Sequence, residues 1–221
     1  MKVINVFKVA KWFIKNNYDN PRNNFDGNMK LQKLLYLAQL VHLYLYDKEL
    51  FEEPIMAFEK GPVVEAVRIR YRDDTFNFIE EAKTMFMDLN QKIIKTLELT
   101  VELFGEYTAK ELSEFTHTHA CWEEALENST RSNGFHSKND SIIPIEEMKK
   151  HALPGIKQVI EAKKMTSDDN DKCEIVNGKE FYYDPSNISL NDRIYEILSN
   201  FEGEDNSYTV YEDPSQGLVI Y

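Results

Sequence analysis

The chain has 221 residues, of which 42% are hydrophobic, with a formal charge of −12 and two cysteines. That apolar content supports one generous domain, or a domain with a small appendage. Two distant cysteines, Cys121 and Cys173, argue against a disulfide framework and a cysteine-based zinc site. No run approaches the roughly 18 apolar residues of a membrane span, and lysines interrupt the apolar pattern of MKVINVFKVAKWFIKNN, so the sequence predicts an unprocessed cytoplasmic protein.

The charge is unevenly spread. From Met165 onward thirteen acidic residues face three basic ones, a net of −10, which leaves −2 for the stretch from Met1 to Lys164. So acidic a tail disfavours nucleic acid, because phosphate contacts need cations that release counterions. It fits a basic partner, or serves only to keep the surface solvated.

In chain order, Val3 to Asn16 reads as a helix, with Ile4, Phe7, Ala10, Phe13 and Ile14 on one face. Asn20, Pro21 and Asn23 break it. Asn28 is the predicted N-cap of a second helix reaching Tyr46, with an apolar stripe of Leu31, Leu34, Leu35, Ala38, His42 and Leu45. Gln32, Lys33, Tyr36 and Gln39 fall on its other faces. Leu50 to Phe58 reads as extended, and Gly61-Pro62 as a hinge into a helix from Val63 to Arg72. Arg68, Arg70 and Arg72 then place cations near that helix's negative pole.

Asp88 is the expected start of an amphipathic helix ending at Gly105. Thr108 and Glu111 have capping-box spacing for a short helix to about Thr116. Trp122 to Asn128 is predicted helical, Arg131 to Ser141 a loop, Pro144 the start of a helical turn, and Gly155 to Lys164 the last helical stretch of the body. MTSDDNDK reads as a linker. Beyond it, Asn177-Gly178 sits between two β-prone runs, a strong hairpin signal. A helix from Leu190 to Phe201 capped by Ser189, and the runs SYTVYED and QGLVIY, complete the pattern. The expected architecture is therefore mainly α: a helical domain over residues 1–164, then a small α+β module of ββαββ order over 165–221, with a marginal core that leans on the body.

Chemistry-bearing motifs are sparse. His117, His119 and Cys121 alternate in one short segment, without the paired spacing or fourth ligand of a structural zinc site. Cys121 and His119 are neighbours in sequence, whereas a nucleophile and its base usually meet across a fold. No phosphate loop, dinucleotide fingerprint or zincin motif occurs. No catalytic residue, metal or cofactor is expected; His117 is read as a helix-end hydrogen bonder and Trp122 as a core or groove anchor.

The segment Met29-Lys30-Leu31-Gln32-Lys33-Leu34-Leu35-Tyr36-Leu37-Ala38-Gln39, followed by Phe51, Ala57-Phe58 and Gly61-Pro62-Val63-Val64, resembles the Panacea domain of SocA-like (GepA-like, phage-associated) antitoxins. Glu111-Leu112-Ser113, Thr116-His117 and Trp122 are similar to the family's second cluster, with Cys121 where the family commonly has proline. The resemblance runs from the first helix to a point between Thr130 and Ile160. It implies a mostly helical antitoxin that neutralises a toxin encoded nearby through direct contact. A proteolytic adaptor that hands its target to a protease, or a phage or prophage regulator that binds a host protein, is the alternative. The acidic tail adds the expectation that the toxin is basic and is occluded. The residues assigned to the partner surface are Tyr36, Phe58, Arg68, Tyr71, His117 and Trp122 in the helical domain and Glu202, Glu204 and Asp205 in the tail. For Tyr36 and Phe58 plain packing is the competing role.

Overall fold

A computed structural model describes residues 3–22, 25–86, 88–130, 137–167, 172–203, 205–213 and 217–221. The chain divides into two compact units, Met1–Ile160 and Glu161–Tyr221.

The first unit is built around α2 (Phe25–Tyr46), which follows α1 (Val6–Lys15). A two-stranded hairpin of β1 (Met56–Phe58) and β2 (Gly61–Val63) comes next, then α3 (Glu65–Asp73), α4 (Thr75–Thr84), α5 (Gln91–Phe104), α6 (Ala109–His117), α7 (Ala120–Ser129), α8 (Ile145–His151) and α9 (Leu153–Ser167). Caps explain several boundaries. Asn5 and Asn90 accept from the backbone N–H groups of Phe7 and Ile93, and Thr108 and Glu111 form the reciprocal capping box their spacing predicts.

Burial of α2 goes well beyond the predicted stripe: every residue from Lys30 to Leu43 is buried. A helix buried all round is a core element, and this one carries the first unit's apolar cluster from α1 through α9. Each fully buried Leu contributes about 1.5–3 kcal/mol relative to exposure.

Several predicted boundaries move, each for a local reason. Asn28 is not a cap: α2 begins at Phe25, and the Asn28 side chain donates to the Arg68 carbonyl and accepts from Gln32. Gly61-Pro62 does not open a helix but forms β2, with Gly61 at φ +99° and Pro62 opposite Ala57. Ala57 sends its own N–H to the Ser141 carbonyl, so proline's missing donor costs nothing there. The helix after it starts at Glu65 rather than Val63, and α4 lies in a stretch outside every predicted element. Of the predicted loop 131–141, residues 131–136 lie outside the described residues, as do residues 168–171 of the predicted linker.

The second unit contains β3 (Lys172–Val176), β4 (Lys179–Tyr183), α10 (Asp192–Ser199), β5 (Ser207–Asp213) and β6 (Gly217–Ile220). They form one sheet in the order β3-β4-β5-β6, antiparallel at both outer pairs and parallel between β4 and β5. Parallel neighbours need a crossover, and α10 lies within it. Asn177 and Gly178 both take positive φ in the β3-β4 turn. Asn191, not Ser189, caps α10 by accepting from Ile194 N–H. The core is Phe181, Tyr183, Ile188, Leu198, Tyr208 and Val210, with Phe181 and Tyr208 stacked 5.7 Å apart.

Candidate functional site

The polar residues of α2 between Lys30 and His42 are buried, and most of them are tied to another segment. Gln32 Oε1 accepts from Val64 N–H at 2.9 Å, and Lys33 Nζ donates to the Pro62 carbonyl at 3.1 Å. Lys30 Nζ donates to Gly105 O at 2.8 Å. Gln39 binds the backbone of the segment after α2, accepting from Leu50 and Phe51 N–H and donating to Phe51 O. The Tyr36 hydroxyl lies 2.8 Å from His119 Nδ1, and His42 Nδ1 lies 2.7 Å from Thr96 Oγ1. Because the Thr96 hydroxyl donates to Lys92 O, His42 must be the donor in that pair, which leaves its buried Nε2 without a partner. These bonds answer what the glutamines, lysine and tyrosine do in an otherwise apolar run: they fasten loops to the central helix.

Burial sets the protonation of this group. Lys33, without a carboxylate beside it among the described ion pairs, has its pKa pushed down to about 7 by desolvation. Burial holds His119 down to about 4, and burial with nearby Lys92 does the same for His42. The Tyr36 phenol is raised well above its usual value by burial and by Cys121, so it donates to His119. Gly61 is required where it sits: a Cβ would lie 2.7 Å from Lys33 Nζ and 2.9 Å from Thr116 Oγ1.

Between α2, the β1-β2 hairpin and α3 lies a cleft of about 620 Å³. Phe25, Met29, Phe58, Val63 and Tyr71 supply apolar lining, and Asn28, Gln32, Lys33, Glu59, Lys60, Arg68, Arg72 and Thr75 the polar part. Phe25 is 65% exposed at this site. The Arg68 guanidinium lies over the Phe58 ring at 5.5 Å, and its Nε is buried without a hydrogen-bond partner.

The structure therefore separates the nine residues assigned to a partner surface. Phe58, Arg68 and Tyr71 come together at the cleft. Tyr71 is only 2% exposed and donates from its hydroxyl to buried Asp19 at 2.8 Å, so it walls the cleft rather than projecting from it. Tyr36 has no accessible surface and belongs to the core, where it offers nothing to a partner. Trp122 is a structural anchor: its indole N–H donates to Phe58 O at 2.9 Å, and His117 stacks on it at 4.0 Å. His117 Nε2 is buried without a well-formed hydrogen bond, and the ring packs against the indole. Burial lowers the His117 pKa, and the Lys60 backbone nearby offsets part of the fall. Glu202 and Asp205 are exposed between α10 and β5, and Glu204 lies outside the described residues.

Sequence reading missed Phe25, Lys33 and Lys60 as cleft residues. The available signal was Lys33 itself, a cation in an unbroken buried run of α2. Cys121 and His119 both meet the Tyr36 hydroxyl inside the core, with Cys121 Sγ at 3.7 Å and its thiol pKa raised by burial. Among the described residues, Glu124, Glu147 and His151 are the grouping whose ligand atoms lie within 4.8 Å of one another.

With this geometry in view, comparison with known families is specific. Residues 31–123 match the family described as Antitoxin SocA-like, Panacea domain. That stretch is similar to a Panacea domain. The match is narrower than the span suggested by the motifs, running from within α2 to the start of α7. It includes the partners of Gln32, Lys33, Tyr36, Gln39 and His42, and it excludes the acidic second unit. No curated protein and no solved structure matched the chain. No helix among the described residues is long and apolar enough to cross a membrane.

Proposed function

We propose that this protein is the antitoxin of a toxin and antitoxin pair and neutralises its toxin by direct binding. The match of residues 31–123 to the SocA-like antitoxin domain carries this reading. The Panacea domain acts as a rigid scaffold, because the loops that shape its surface are fastened to α2 by buried bonds. The second unit acts by charge. A toxin that works on RNA needs a cationic substrate surface, and the tail from Met165, with its net charge of −10, competes there with phosphate.

The test is to express the neighbouring open reading frame with and without this protein, and then to assay the purified toxin with a stoichiometric amount of it. Rescue of growth with inhibition in the absence of any protease supports occlusion. Rescue in cells without inhibition in the purified system identifies a proteolytic adaptor instead. A harmless neighbour that does not co-purify removes the paired-antitoxin reading in favour of a regulator that binds a host protein.

A further inference from the structure

We propose that the cleft between α2, the hairpin and α3 seats an acidic, apolar segment of the partner protein. An aromatic or long aliphatic side chain enters the apolar part, and an adjacent carboxylate pairs with Arg68. This rests on the antitoxin reading and names the chemistry by which the Panacea domain grips its partner.

Three observations fix the occupant. The volume, about 620 Å³, is within the range of clefts that bury a substantial ligand, and the walls from Met29, Phe58 and Val63 favour an apolar body. Phe25 keeps 65% of its surface open at the same place. Of the charged lining residues, with Lys33 neutral and Arg72 held by Asp73, Lys60 and Arg68 remain as cations against Glu59.

Arg68 decides the anion. Arg72 is already paired with Asp73. Arg68 reaches Glu65 only at 3.4 Å, while that same carboxylate holds Lys138 at 2.8 Å. Arg68 thus retains a buried Nε donor without an acceptor, beside an aromatic ring. A guanidinium with donor capacity left over, stacked over Phe58 and held by Glu65 only at 3.4 Å, matches the two oxygens of a carboxylate. Nucleic acid fits poorly, because a polyanion needs an extended basic track and the stretch from Met1 to Lys164 carries a net −2.

The 221-residue protein is titrated with short fluorescein-labelled peptides of sequence Ala-Phe-Asp-Leu-Ala, the same peptide with Asn or Lys in place of Asp, and free 3-phenylpropionate as competitor. The Asp peptide should bind about tenfold tighter than the Asn peptide, the Lys peptide should be weakest, and the free acid should compete poorly. Arg68→Gln should erase the preference for Asp over Asn, and Lys60→Glu, at an exposed position, should weaken the Asp peptide alone. Circular dichroism confirms that both variants fold. Equal affinity for all three peptides, an Asp preference that survives Arg68→Gln, or 3-phenylpropionate competing as well as the peptide overturns the proposal. In cells, Arg68→Gln should lose toxin rescue. If wild type and Arg68→Gln rescue equally, the cleft proposal falls and the antitoxin reading stands. If wild type itself fails to rescue, the antitoxin reading falls, and the peptide series still decides what the cleft takes.

Discussion

The two units solve the problem of stability at different scales. In the first, α2 is buried along most of its length, and its polar side chains direct their hydrogen bonds to the backbone of distant loops. In the second, six buried residues hold a four-stranded sheet, while Ile175, Tyr182, Tyr195, Tyr211 and Tyr221 stay exposed and most charges are acidic. A large core tolerates buried polar groups when most of them are satisfied; a small core has no room for them, so its polar and charged groups stay at the surface. The first unit is therefore sensitive to changes of shape and hydrogen bonding, and the second to loss of apolar volume.

Phe181→Ala should have the largest effect. It removes the ring at the centre of the second unit's core and should destabilise that unit by about 3–5 kcal/mol, as much as a core of this size supplies in total. Limited proteolysis should then cut within residues 172–221; resistance equal to wild type would mean that the small core does not sustain the sheet. Gly61→Ala should cost the first unit about 1–3 kcal/mol, because the residue is at φ +99° and the new methyl meets Lys33 and Thr116. Urea denaturation measures it, and an unchanged midpoint would show that the hairpin relaxes freely.

Tyr36→Phe should cost about 1–3 kcal/mol for a different reason, since it strands His119 Nδ1 in the core. The same variant in which His119 is also replaced by Phe should recover part of that loss. If the double variant is no more stable than the single, the bond is not the source.

The pH profile sharpens the comparison. His119 and His42 hold folded pKa values of about 4 against 6.5 for the free side chain, so between those values the unfolded chain binds more protons. Stability should fall as pH drops from 6.5 toward 4, with no contribution from either group at pH 7. Lys33 acts at the other end: folded near 7 and unfolded near 10.5, it makes stability rise as pH increases between them. Lys33→Met should flatten that rise, and a rise that persists in the variant would assign it elsewhere. The smallest change in stability should come from Glu202→Lys with Asp205→Lys, both exposed, which should leave the melting temperature alone. Toxin binding should nonetheless weaken and become less salt-dependent; binding and salt dependence both unchanged would remove these residues from the mechanism.

Local signals in the sequence were legible where the cause is local. The Thr108–Glu111 box and the Asn177-Gly178 hairpin each depend on residues a few positions apart. Helix periodicity found α1, α2 and α5, and the resemblance carried by Lys30 to Gln39 with Gly61-Pro62 is met by the family match. Misreadings occurred where a residue's partner is distant. Asn28 has the chemistry of a cap and uses it on Arg68. Pro62 has the chemistry of a helix start and sits in a hairpin whose partner strand bonds to Ser141.

The sequence by itself determined the helical character of the body, the acidic excess after Met165, the Thr108–Glu111 box and the Asn177-Gly178 turn, because those follow from composition and neighbours within one turn. Only the tertiary structure decided that Lys33, Tyr36 and Gln39 are buried fasteners, and that Trp122 braces Phe58. It also brought Phe25, Lys60 and Arg68 to one cleft. Burial and hydrogen-bond partnership are set by which segments meet, and those segments lie 11 to 83 residues apart along the chain.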